Sequence, residues 1–156
     1  MLALLGLIMI GARLFQMAGQ LAQDSLHPPR NPITKTPADI GIANYQDVSF
    51  VTSDGLTIRG WLIPGSNGAL IVLGHGNQDN RAGMLGEAAI LTAKGYGILM
   101  FDWRGEGESG GDMISFGQFE VRDLRAAVDY VTTLPGIDPG RIGGLGFSLG
   151  ASTMTL

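Results

Sequence analysis

Residues 143–152 read GGLGFSLGAS, with a lone serine, Ser148, set between glycines where an apolar strand gives way to a helix. Residues 141–145 read as the end of a buried strand and 149–156 as the start of a helix. A side chain on so sharp a turn has a strained backbone, and the residues two positions to either side must be nearly bare for strand and helix to approach. Gly146 and Gly150 meet that need. The turn lifts the Ser148 hydroxyl above the sheet, beside the first free amides of the helix, that of Leu149 included. An oxygen nucleophile next to amides able to hold an oxyanion is the arrangement acyl transfer requires. The same ten residues also fit a glycine-rich helix entry capped by a serine, so the surrounding pattern has to decide.

Upstream, the stretches DVSFVT and LTIRGWLI alternate as strands, and Ser53, Asp54 and Gly55 between them carry a turn signature, which together predict a hairpin. The run from Ala69 to Leu73 in GALIVLGHG is continuously apolar, as a strand covered on both faces would be. Residues 84–93 have helical spacing, YGILMFDW is a second buried strand, and 116–134 is a long helical pattern stopped by Pro135. In that helix Phe119, Leu124, Val128 and Val131 are the expected inward stripe, with Glu120, Arg122, Asp123 and Arg125 turned outward or sideways. RIGGLGF is the third buried strand. Strands alternating with helices predict an α/β domain, a mostly parallel sheet covered by helices on both faces. In such sheets ligands bind beyond the carboxyl ends of the strands, where the polar loops GHGNQDNRAG, DWRGEGESGG and GFSLG all fall.

With GHGN at 74–77, FDWRGEGESGG at 101–111 and GFSLG at 146–150, in that order, residues 45–156 resemble the α/β-hydrolase superfamily. Within it the likeness is to the serine aminopeptidase-like and monoacylglycerol-lipase-like group. The resemblance implies a serine hydrolase acting on an ester or amide through an acyl-enzyme on Ser148. It implies a second oxyanion amide from the residue after His-Gly, here Asn77, beside that of Leu149. It gives Gly74, His75, Gly76, Asp102, Arg104, Gly146 and Gly150 supporting roles. His75 is then a brace of its loop rather than the general base, Asp102 and Arg104 a structural pair or turn formers, and Glu106 and Glu108 solvated carboxylates at the site mouth. Epoxide and haloalkane hydrolysis on this scaffold use a carboxylate nucleophile, so a serine argues for acyl transfer. No cofactor or metal is implied, and the expected substrate is a small molecule, lipid or peptide.

The superfamily orders its triad as serine, then Asp or Glu, then histidine. Residues 149–156 offer no acid and no histidine. The expectation is therefore an N-terminal part of a longer hydrolase whose acid and base follow Leu156, inactive and poorly folded by itself, with its third buried strand left as an uncovered edge. The reading from a different class is a non-catalytic, membrane-tethered binding module on the hydrolase scaffold.

Residues 1–22, MLALLGLIMIGARLFQMAGQLA, form an apolar segment interrupted at Arg13. They are expected to be a membrane anchor, with a cleaved secretory signal or a helix packed on the domain as the other readings. Residues 23–44 hold four of the chain's seven prolines and read as a tether or an extended arm on the domain surface, His27 among them as a surface histidine. The net charge of -4 gives no reason to expect a nucleic-acid partner, and the absence of cysteine excludes a disulfide framework. Twenty-five glycines, far above the share usual in globular chains, sit at turns beside apolar runs and fit a fold with many tight junctions.

Overall fold

Continuous apolar runs make strands that need cover on both faces, and the fold supplies it. The computed structural model describes the backbone of residues 2–156 and the side chains of residues 6–156. Five strands, β1 (Gln46–Val51), β2 (Thr57–Ile63), β3 (Leu70–Gly74), β4 (Gly97–Phe101) and β5 (Ile142–Gly146), form one sheet in the order β1-β2-β4-β3-β5. β3 pairs in parallel with β4 on one side and with β5 on the other, while β2 runs antiparallel to both β1 and β4. The sheet is thus parallel around β3 and antiparallel in the amino-terminal hairpin. The hairpin turn closes through Thr52, whose amide donates to the Leu56 carbonyl at 2.9 Å, while Gly55 adopts φ 86°.

Helices α2 (Leu85–Thr92), α3 (Glu120–Thr132) and α4 (Leu149–Thr153) cover the two faces. Alternate residues of β4 serve opposite sides. Leu99 and Phe101 pack with Phe50, Val72, Trp103 and Leu149, and with Ala127 and Val131 of α3. Ile98 and Met100 pack with Trp61 and Leu73, and with Leu85 and Ala88 of α2. Period-2 alternation in the strands meeting period-3.6 stripes on the helices gives a three-layer core.

Two expectations need correction. In α3, Glu120 and Asp123 are fully buried, not turned outward, and Val128 is only partly covered. Residues 120, 123, 127 and 131 share one helical face, and the two acids on it find hydrogen-bond donors inside, as a buried carboxylate must. As expected of an edge strand, β5 is half exposed, with Gly144 and Leu145 open, because β3 is its only partner strand among the described residues.

The second correction concerns the amino terminus. Helix α1 (Leu2–Leu26) runs past the expected boundary into the segment read as a tether. The side chains of residues 1–5 lie outside those described, and among the described residues no helix is long and apolar enough to cross a membrane. Leu7, Ile8, Met9, Ile10, Leu14 and Phe15 are exposed, so this part of α1 is not packed on the domain either. The residues behind it form an extended arm on the domain surface. Leu26 accepts from the Ile114 amide at 2.8 Å, Pro28 and Pro37 are buried, and Ile33 and Ile42 pack on the α2 face.

Candidate active site

The carboxyl ends of β3, β4 and β5 converge on Ser148. It occupies the residue before α4 at φ 49° and ψ -111°, a backbone conformation that side chains rarely adopt. Its position is that of a helix cap, yet its side chain makes no capping hydrogen bond. The reading of Ser148 as a cap is thereby set aside: the hydroxyl is exposed and uncommitted. The strain is held by close backbone approach on both sides. A Cβ on Gly150 would overlap the carbonyl of Gly74, and one on Gly146 would overlap the backbone of Gly150. The Phe147 amide donates to Gly74 O at 3.0 Å and the Gly150 amide to His75 O at 3.1 Å, which ties the turn to the end of β3.

The loop after β3 lies alongside, since a Cβ on Gly76 would come within 3.5 Å of the Ser148 Cβ. His75 is fully buried. Its Nδ1 bonds Gly76 O at 2.7 Å and its Nε2 accepts from the Trp103 amide at 3.2 Å, which fixes a neutral ring with the proton on Nδ1. Burial lowers its pKa and holds it in that neutral form. Both ring nitrogens are engaged in bracing the loop. The brace has a direction: in a trans peptide the N–H points opposite to the C=O, so holding the Gly76 carbonyl inward turns the Asn77 N–H away from His75. Among the described residues, neither the Asn77 amide nor the Leu149 amide donates to any acceptor in the chain. These are the two amides expected to receive an oxyanion. His27, the other histidine, bonds Asp112 O at 2.7 Å.

The loop after β4 is built on buried charge. Asp102 and Arg104 do not pair with each other as expected, because each finds a separate partner. Asp102 is fully buried, takes the Arg81 guanidinium at 2.6 Å and accepts from the Glu108 amide at 2.8 Å. Arg81 also stacks 4.5 Å from the Trp61 ring centre and reaches Glu108 at 2.5 Å. Arg104 bridges Asp123 of α3 at 2.7 Å and Asp54 of the hairpin turn at 2.8 Å. Hydrogen bonding from Arg104 holds the Asp54 carboxyl well below the usual carboxylate range, whereas burial pushes Asp123 up. Glu120 accepts from the amides of Ser115 and Gly117, each at 2.7 Å.

Glu106 departs furthest from its reading as a solvated carboxylate. It is 2% exposed, and burial pushes its pKa up to about 7. One carboxyl oxygen accepts from the Gln78 amide. The other is 3.9 Å from His75 Nδ1 and, with Asn77 Oδ1, is a buried oxygen without a hydrogen-bond partner among the described residues. Glu108 alone of the pair is exposed, and it is tied to Arg81.

Residues 18–156 match the family described as X-Pro dipeptidyl-peptidase (S15 family). The chain belongs to the S15 family of the α/β-hydrolase superfamily. The superfamily implied by the three loops therefore stands. This S15 chain is 34% identical over 116 residues to polyketide transferase ATR5 of Stachybotrys chlorohalonatus, covering 72% of itself and 39% of that protein. It is 35% identical over 113 residues to thiohydrolase aneE of Aspergillus aculeatus, covering 70% of itself and 36% of that protein. The solved structure of the Pyrococcus furiosus esterase Pf2001 matches with a TM-score of 0.76 at 33% identity, over 83% of this chain and 50% of the esterase. The S15 chain thus spans about two fifths of the length of these curated relatives.

Proposed function

We propose that the whole protein is a serine hydrolase that moves an acyl group from an ester, thioester or amide onto Ser148 and then to water. The observation that carries this reading is the strained Ser148, whose hydroxyl caps nothing and stands beside two amides without an internal acceptor. In the first half-reaction Ser148 Oγ bonds to the carbonyl carbon as its proton passes to a base, and the developing oxyanion is received by the amides of Asn77 and Leu149. Collapse breaks the bond to the alcohol, thiol or amine, which leaves with that proton. Water then repeats the sequence on the acyl-enzyme and frees the acid and Ser148.

The base is a histidine, oriented by an acid, from chain beyond Leu156. His75 has both nitrogens engaged in its loop and His27 is held elsewhere, so neither serves. The neighbours named esterase and thiohydrolase, and a family named for a peptidase, support hydrolysis at an acyl carbon without choosing the leaving group. For location, we propose that α1 lies against a lipid surface, supported by its exposed apolar side chains, with Arg13 able to snorkel to the headgroups.

The test is hydrolysis of a short-chain aryl ester by the full-length protein, with an initial burst of alcohol equal to the enzyme present. Burst and turnover should vanish in Ser148→Ala. Turnover that survives the substitution would remove the nucleophile, and a properly folded wild type with no turnover on esters, thioesters or amides would favour a binding module.

A further inference from the structure

Gln78, the residue after Asn77, has φ 57°, a conformation that a non-glycine residue keeps only where its surroundings impose it. Both of its backbone polar groups are taken by side chains from distant parts of the chain. Its N–H donates to Glu106 in the loop after β4, and its C=O accepts from Asn31 Nδ2 of the amino-terminal arm at 2.5 Å. Asn80, two residues further along, returns the contact by donating to the carbonyls of Asn31 and Pro32 at 3.2 and 3.3 Å. The neighbouring Arg30 spreads its guanidinium over four carbonyls of the loop that carries Glu106: those of Glu106, Gly107, Ser109 and Gly111, at 2.5 to 3.3 Å. One dipeptide of the arm therefore fastens the loop after β3 and the loop after β4 to each other.

We propose that Asn31 and Glu106 are positioning residues that clamp Gln78 and so hold the Asn77 amide in its oxyanion-receiving direction. The proposal rests on the reading of Asn77 as an oxyanion donor. His75 fixes the peptide unit before Asn77 through the Gly76 carbonyl, Glu106 fixes the unit after it through the Gln78 N–H, and Asn31 fixes the next unit through the Gln78 carbonyl. With the units on either side held, the Asn77 torsions are restrained, and its N–H keeps one direction before substrate arrives. Neither clamping side chain touches the reacting atoms. The burial of the Glu106 carboxyl, which leaves one of its oxygens without a partner, is the cost of placing an acceptor under a strained amide.

Loss of the clamp should appear in the chemical step and in the Gln78 amide, and not in substrate affinity. In the full-length protein, Asn31→Ala and Glu106→Ala should each lower kcat on an aryl ester by about tenfold, less than the roughly 10²- to 10³-fold lost when an oxyanion donor is removed outright, because the donor is loosened and not deleted, with KM little changed. Rates are expressed per Ser148 titrated with a fluorophosphonate, so misfolded protein does not count. Hydrogen exchange at the Gln78 amide should quicken in both variants. Glu106→Gln, which keeps a carbonyl oxygen for the Gln78 N–H, should recover most of the loss. Asn31 is exposed, so its variant is expected to fold even if Glu106→Ala does not. Wild-type kcat per titrated serine in Asn31→Ala, or a loss of kcat without faster exchange at Gln78, would overturn the clamp. A wild type that does not titrate at Ser148 would remove the functional reading instead, and the exchange rates alone would then decide whether Asn31 and Glu106 fix Gln78.

Discussion

Raising the pH through neutrality should weaken this fold through a single carboxyl. Glu106 is 2% exposed, and burial pushes its pKa from the ordinary 4.5 up to about 7, against the opposing pull of the Gln78 and Asp79 amides. The carboxylates of Glu120 and Asp102 add to the upward push. The other titratable group facing it is His75, which burial keeps neutral. The folded state thus binds the Glu106 proton more tightly than the unfolded chain does. Its stabilising contribution is complete below about pH 4.5 and is lost as pH rises through 7. At about 1.4 kcal/mol per pH unit, the loss across that window is about 3 kcal/mol. Burial raises Asp123 as well, so the quantity to measure is a difference. Urea unfolding of full-length wild type and Glu106→Gln at pH 5 and pH 8 isolates it. The variant should gain about 2 to 3 kcal/mol on wild type between the two pH values. A difference between the two proteins that is the same at pH 5 and pH 8 would refute the reasoning.

Arg104→Met should destabilise the protein by about 3 to 5 kcal/mol in urea at pH 7, since it strands the buried Asp123 without its guanidinium. Gly150→Ala should cost about 1 to 3 kcal/mol of stability and abolish ester turnover, because its Cβ meets the Gly74 carbonyl and pushes α4 off β3. Ser148→Gly should raise the melting temperature, with about 1 kcal/mol of relieved backbone strain, while leaving no turnover. Removal of residues 1–22 should shift the protein out of the liposome-bound fraction in a flotation assay, and equal flotation with and without them would exclude α1 as the lipid contact.

Much of the fold was legible because apolar patterning maps directly onto covered strands. The run at 69–73 became β3 and YGILMFDW became β4, and the turn at Ser53 to Gly55 closed the hairpin as read. The elbow at Ser148 was legible for the same reason, since two bare glycines flanking a serine at a strand end leave few other backbones. Charged residues were misread where charge was taken as a sign of exposure. Glu120 and Asp123 lie on the helical face of Ala127 and Val131, a 3-4 spacing that was available in the sequence and outweighed by their polarity. Their donors, the Ser115 and Gly117 amides and the Arg104 guanidinium, come from loops whose course no periodicity encodes. The contacts of Glu106 and Asn31 with Gln78 were not legible for a similar reason. Their hydrogen bonds to Gln78 join segments 28 and 47 residues away, and proline-rich or glycine-rich stretches carry no pattern that brings them together.

The central claim is a covalent bond between an acyl group and Ser148 Oγ. Full-length protein mixed with a slowly hydrolysed aryl ester and quenched in acid, then digested and analysed by mass spectrometry, reads that bond directly. The account predicts one acyl group per chain, on the peptide containing Ser148, absent from Ser148→Ala and lost on dilution as turnover completes. An acyl group on another residue, or steady hydrolysis with Ser148 unmodified throughout, would contradict it.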